Sequence, residues 1–206
     1  MTEAQVLLFI ATSLLIIATP GQDLVLVVSR GVAHGSRGGV LAAFGVSVGL
    51  LGHTLIAAFG LGALLLASDI AFTILKYIGG AYLIYLGVKL LKTGSTKVAV
   101  PDVKKYSMWD CFATGAITNL ANPKITIFYF AYLPQFMSKG EESPLTLFIL
   151  GLSFALLTFV IKGPIGFMAG RFSEWIKNNE AIMLWFNRTS GTVLIGLGLK
   201  LVFERK

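Results

Sequence analysis

The sequence predicts an all-α integral membrane protein of six transmembrane helices, arranged as a 3+3 inverted repeat with broken helices 1 and 4. Three observations carry this prediction. The chain of 206 residues is 55% hydrophobic and 13% charged, with mean hydropathy +0.79, more apolar sequence than a soluble domain of this size can bury. Apolar stretches of about 20 residues, the length that crosses a bilayer, occur at 6–29, 40–67, 70–91, 111–137, 145–169 and 183–203. The first and fourth of these are each interrupted by a proline with an ionisable residue close by, and the third resembles the sixth.

The first stretch holds Ala18, Thr19, Pro20, Gly21, Gln22 and Asp23 in sequence. Proline removes a helix hydrogen bond and clashes with the preceding turn, so a helix break is expected here. Lipid cannot satisfy the freed backbone groups, nor an ionised Asp23, so the break should face a protein-lined or water-filled cavity. No Lys or Arg lies among residues 1–5 and no Ala-x-Ala site precedes Pro20, so this run is expected to be a permanent span rather than a cleaved signal.

The second span carries Gly45, Gly49 and His53 four residues apart, on one helix face. Small residues at this spacing let helices approach closely. His53 reads first as a packed histidine on that face, and otherwise as a proton relay or a polar lining of the cavity. In the third span, Lys76 lies about 10 Å along the helix from Asp69, within reach of a snorkelling stem. Residues 93–107 mix Gly, Ser, Thr, Lys, Val and Pro without helical periodicity and read as a linker between half-repeats 1–92 and 108–206. Together the halves form a single transmembrane domain over 1–206.

The fourth span has the grammar of the first: Asn119, Leu120, Ala121, Asn122, Pro123 and Lys124 interrupt an apolar run. Here the charge is positive. One broken helix with an acid and another with a base suggest a site for a substrate bearing both charges, with Asp23 and Lys124 as its charged centre, paired alternately with each other and with the substrate; the plainer readings are two packing kinks or a structural salt bridge. Lys162, beside Gly163 and Pro164 near the end of the fifth span, reads first as a snorkelling lysine and second as a cavity lining. The sixth span closes the repeat: residues 191–202 align without gaps on 80–91, with the same Gly, Gly and Lys spacing. Three spans per half is odd, so the halves insert in opposite senses.

The basic residues set the orientation. Arg30 and Arg37, then Lys89, Lys92, Lys97, Lys104 and Lys105, then Arg171, Lys177 and Arg188 fall between spans or near their ends on one side, against Lys139 on the other. The positive-inside rule therefore puts the basic loops in the cytoplasm and both termini outside. The basic tail, with Lys200, Arg205 and Lys206, opposes this rule, and the repeat offers an account: Lys200 matches Lys89.

Several classes of function fit poorly. The net charge of +7 comes from these loops and not from a basic stripe interleaved with aromatics, so no nucleic-acid partner is expected. One cysteine, Cys111, allows no intramolecular disulfide and reads as a small core residue. An intramembrane hydrolase needs a nucleophile with a base, paired carboxylates or metal ligands, and the spans offer Asp23 and His53 alone. No metal site and no cofactor are expected. A metal-ion or small-ion transporter is the alternative class, although its usual cluster of Cys, His, Met or carboxylates is missing. No Gly-x-x-x-x-Gly-Lys-Ser/Thr motif is present.

Taken together, Thr19, Pro20, Gly21, Gln22 and Asp23, then Gly31, Gly35, Arg37 and Gly39, the face from Gly45 to His53, Gly80 to Leu83 with Leu86 and Gly87, and Asn119, Asn122, Pro123 and Lys124 followed by Leu133, Pro134, Gln135 and Phe136 resemble the LysE/RhtB family of bacterial amino-acid efflux proteins. The resemblance covers nearly the whole chain. It departs at Gln22, where the family usually has a second proline. The resemblance implies a secondary transporter of the bacterial cytoplasmic (inner) membrane that exports amino acids or close derivatives, coupled to the proton or membrane-potential gradient. Substrate binding is expected at Thr19, Pro20, Gly21, Gln22, Asp23, Asn119, Asn122, Pro123 and Lys124, with Asp23 and His53 as candidates for proton coupling. The glycine faces would serve internal packing or a homo-oligomer equally well.

Overall fold

The computed structural model describes residues 3–19, 21–61, 69–93, 107–137, 143–169, 171 and 180–203. Every element among them is helical: α1 (Glu3–Ala18), α2 (Gln22–Leu55), α3 (Asp69–Lys92), α4 (Met108–Leu120), α5 (Pro123–Tyr132), α6 (Pro144–Phe167) and α7 (Glu180–Phe203). A π-helical segment, Ile56–Leu61, extends α2, and a 3₁₀ turn, Leu133–Phe136, extends α5. Pro20 and nearly all of the 93–107 linker lie outside the described residues.

Both expected breaks are present. α1 ends at Ala18 and α2 begins at Gln22, with Gly21 as an extended N-cap (φ −165°). α4 ends at Leu120 and α5 begins at Pro123. Proline suits a first helical position because its missing N–H would have had no partner there. Ser107 starts α4 with a capping box: its hydroxyl accepts from the Asp110 amide at 3.1 Å, and the Asp110 carboxylate accepts from the Ser107 amide at 2.9 Å.

Two described stretches, Gln22–Gly60 and Pro144–Phe167, are long and apolar enough to cross a membrane by themselves. The first is not a straight rod. Gly35 has φ 69° and ψ −175°, a region open to glycine almost alone, and the chain reverses there. A Cβ on Gly31 would lie 3.4 Å from the Gly39 Cα, whereas eight residues of straight helix would separate the two by ~12 Å. α2 is therefore a hairpin of two arms, 22–34 and 36–55. The sequence predicts a loop of some ten residues between spans 1 and 2, and the structure compresses it to one glycine. Ser36 fastens the turn by donating to the Phe167 carbonyl at 2.7 Å.

Close backbone approach holds the bundle together, which suits a setting where lipid is as apolar as leucine and association depends on packing. Gly45 and Gly49 of the second α2 arm lie against the backbone of α4, where a Cβ would collide with the carbonyls of Phe112 and Ala116. This is the packing face that their spacing predicts. Gly39 meets Gly166 of α6 backbone to backbone. α3 and α7 pack antiparallel: a Cβ on Gly198 would stand 2.7 Å from the Gly80 carbonyl, and one on Gly191 2.7 Å from the Gly87 carbonyl. All these glycines are spent on contacts within the chain. Cys111 is fully buried, as expected of a small core residue.

At the other end of α5 from its proline, Phe9, Phe128, Tyr132, Phe136 and Phe154 form an aromatic cluster. Phe128 stacks on Tyr132 with centroids 4.6 Å apart, and Phe9 meets Phe136 edge-on at 5.1 Å. The Tyr132 hydroxyl donates to the Phe9 carbonyl at 3.1 Å and contacts the hydroxyls of Thr12 and Ser13. The cluster ties α1, α5 and α6 into one wall. Elsewhere, Lys76 sits 5.7 Å over the ring of Tyr77, and the side chain of Asp69, its expected partner, lies outside the described residues.

Candidate functional site

The two helix breaks meet in the interior. Asp23 stands in the first turn of α2, where the helix dipole favours a negative charge, and is 6% exposed. Its Oδ2 accepts from Asn119 Nδ2 at 3.0 Å and from Lys162 Nζ at 3.3 Å. Its Oδ1 is buried and has no hydrogen-bond partner among the described residues. Asp23 thus joins one α2 arm to the last turn of α4 and to α6.

Behind it lies a second layer. His53 Nε2 is 3.0 Å from the Asn119 carbonyl. A carbonyl only accepts, so His53 carries a proton on Nε2. Its ring packs 5.8 Å from that of Tyr129. His53 therefore fixes the turn of α4 that presents Asn119 to Asp23. Its Nδ1 is buried with no hydrogen bond among the described residues.

In front of Asp23 is a cavity of about 450 Å³, within the range of small-molecule sites. Thr19, Gly21, Gln22 and Asp23 line it from the first break, and Asn122 from the second. Thr158 and Lys162 come from α6, and Asn187 from α7. The remaining wall is apolar, including Leu50, Leu86, Phe154 and Leu194. Gln22 and Lys89 are exposed at its rim. Phe128 and Phe154 join its lining to the aromatic cluster.

Most of the expected site residues fall together. Thr19, Gly21, Gln22, Asp23 and Asn122 line the cavity, and Asn119 supports Asp23 from behind. The side chains of Pro123 and Lys124 lie outside the described residues, as does Pro20. The first reading of Lys162 needs correction: it does not snorkel to an interface but is 6% exposed and paired with Asp23. A charge kept inside an apolar bundle needs a counter-charge, and Asp23 supplies it. Sequence reasoning missed Asn187 altogether. Its signal was an amide inside the sixth apolar run, obscured by the polar Arg188, Thr189 and Ser190 that follow it.

An all-helical bundle with a buried ion pair at two helix breaks, opening into a cavity of small-molecule size, has the form of a membrane translocator. The chain belongs to the LysE type translocator family, which it matches over residues 14–205; it is a membrane transporter and not an enzyme. It is 29% identical to a homoserine/homoserine lactone efflux protein of Salmonella typhimurium, over 96% of this chain and 95% of the relative. It is 30% identical to an uncharacterized membrane protein of Bacillus subtilis over 94% of this chain and 96% of the relative. A further uncharacterized membrane protein, from Vibrio cholerae, is 27% identical over 95% of each. No solved structure matches the chain.

Proposed function

We propose that this protein is a secondary transporter of the bacterial cytoplasmic membrane that exports small amino acids or their close derivatives. The observation that carries the proposal is the buried Asp23–Lys162 pair, set at the helix breaks and facing the cavity. An α-amino acid has an ammonium and a carboxylate. The Oδ1 of Asp23, unpartnered among the described residues, receives the ammonium, and Lys162 receives the carboxylate, so one internal pair is exchanged for two intermolecular ones without leaving an ion uncompensated. The efflux of homoserine and its lactone named for the Salmonella relatives agrees with a small substrate of this kind.

The six-span inverted repeat is part of the same proposal. Under the alignment of 80–91 on 191–202, Gly80 corresponds to Gly191, Gly87 to Gly198 and Leu91 to Val202. Gly80 packs on Gly198 and Val202, while Gly191 packs on Gly87 and Leu91. Each contact is the other with the halves exchanged, as a twofold relation between the halves requires. Proton coupling would act at Asp23, since its protonation releases an ammonium, with His53 as the second candidate. Pro20, Pro123 and Lys124 remain proposed members of the site.

The test is metabolite profiling of the medium from cells with and without the protein. An extracellular excess of an amino acid or derivative is expected, and it should vanish with Asp23→Asn. Transport of divalent metal ions by the protein in liposomes, with no movement of labelled amino acids, would instead establish the alternative class.

A further inference from the structure

We infer that Asn187 reads the side chain of the substrate, and that the site selects amino acids with a hydroxyl or carbonyl there. The inference rests on the proposed export of amino acids and adds the residue that sets the preference. Asn187 is 1% exposed and lines the cavity from α7. Neither its Nδ2 nor its Oδ1 makes a hydrogen bond among the described residues. A buried amide without partners is costly, and such groups in native proteins are satisfied by water or by a ligand.

The other buried polar side chains of the wall, Asn122 among them, have partners, except that Asp23 keeps its Oδ1 open among the described residues. Thr19 donates to the Leu15 carbonyl at 2.7 Å and Thr158 to the Phe154 carbonyl at 2.8 Å, each within its own helix. Asp23 and Lys162 hold each other and are suited by charge to the two α-groups. Asn187 is neutral and both donor and acceptor, so it suits a hydroxyl, which also does both, or a carbonyl. The apolar wall, with Leu50, Leu86 and Leu194, suits the methylenes between the α-carbon and that polar group. Its position on α7 is rigid, because Gly191 one turn on is locked against Gly87.

The experiment compares homoserine with norvaline, which has a methyl in place of the hydroxyl, as substrates of the purified protein in liposomes. The readout is the ratio of their kcat/KM values. The wild type is expected to favour homoserine by about fivefold, the factor for one net hydrogen bond. In Asn187→Leu the ratio should fall to near one or invert, and in Asn187→Ser part of the preference should return. Trp185→Leu, at an exposed position two residues away, should keep the wild-type ratio. Should Asn187→Leu fail to reach the membrane, Asn187→Ala gives the same readout. A wild type that moves both substrates equally well, or an Asn187 variant with an unchanged ratio, overturns the inference and leaves amino-acid export standing. A wild type that moves neither these nor any other amino acid removes the proposed function, and this inference with it.

Discussion

Asp23 uses one of its two carboxylate oxygens on Asn119 and Lys162 and turns the other, unpartnered among the described residues, toward the interior. An open carboxylate oxygen suits the proposed transport pair, and the alternative, a salt bridge that merely locks helices, makes different predictions. Removing one partner of a buried pair leaves an uncompensated charge, at a cost of about 3–5 kcal/mol. Asp23→Asn should therefore abolish export and lower thermal stability in detergent, and Asp23→Glu should retain some export. The double variant Asp23→Asn, Lys162→Met should regain stability but no export, measured as efflux per unit of protein in the membrane. Export by the double variant at the wild-type rate would show that the pair is structural. His53 makes its bond through Nε2 to a backbone carbonyl, a role that a neutral donor can fill. His53→Gln is thus expected to keep most of the export with an unaltered pH profile, and loss of the acid limb of that profile would assign His53 to the proton path instead. At this scale the sequence was legible where chemistry was out of place. A carboxylate inside an apolar run needed a cavity, and it has one. Lys162 misled because a lysine beside Gly163 and Pro164 at a span end has a cheaper explanation, a snorkelling stem; only the path of α6 beside α2 brings it to Asp23.

Among the elements, the helix breaks were legible and the hairpin of α2 was not. Prolines at 20 and 123 announce interruptions by removing hydrogen bonds, whereas the segment from Arg30 to Gly39, rich in glycine and charge, reads as an ordinary surface loop. Two of its glycines are required for different reasons, and substitution distinguishes them. A Cβ on Gly35 meets nothing within 4 Å, but its φ of 69° with extended ψ disfavours every other residue. Gly35→Ala should cost ~1–3 kcal/mol of stability from backbone strain alone. Gly39 has ordinary helical geometry, and a Cβ there would collide with the backbone of Gly166. Gly39→Val should cost a comparable ~1–3 kcal/mol by forcing α2 from α6. The check is a second change: Gly166 is the crowding partner, so variation there should couple to Gly39→Val and add independently to Gly35→Ala. Equal coupling to both would mean that the turn and the contact are one feature.

Across the whole molecule the cavity lining includes both the exposed Gln22 and Lys89 and the rings of Phe128 and Phe154, which belong to the aromatic cluster. Its rim carries Lys89, with Thr93 in the lining, at the end of α3 that leads into the basic linker. Its floor is Phe128 and Phe154, and beyond them Tyr132 binds the backbone and hydroxyls of α1. If the basic loops are cytoplasmic, as the positive-inside rule requires, the Lys89 rim faces the cytoplasm, the side from which the proposed exporter would load. Under the proposed secondary transport, alternating access would ask the aromatic wall to part while the rim closes, by movement of one proposed half against the other around the ion pair. Single cysteines placed in a Cys111→Ala background test both the sidedness and the state. A cysteine at Thr93 should react with an impermeant maleimide in inside-out vesicles and not in intact cells, and added substrate should slow the reaction. A cysteine at Thr12, which is 3% exposed and held against Tyr132, should be inert from either side at rest. It should become reactive from outside when Tyr132→Ala removes the ring and hydroxyl that seal the wall. Labelling at Thr93 from outside intact cells would reverse the orientation, and the cavity would then belong to the releasing state. Reactivity at Thr12 from the same side as Thr93 would mean that the rings do not close the path at all.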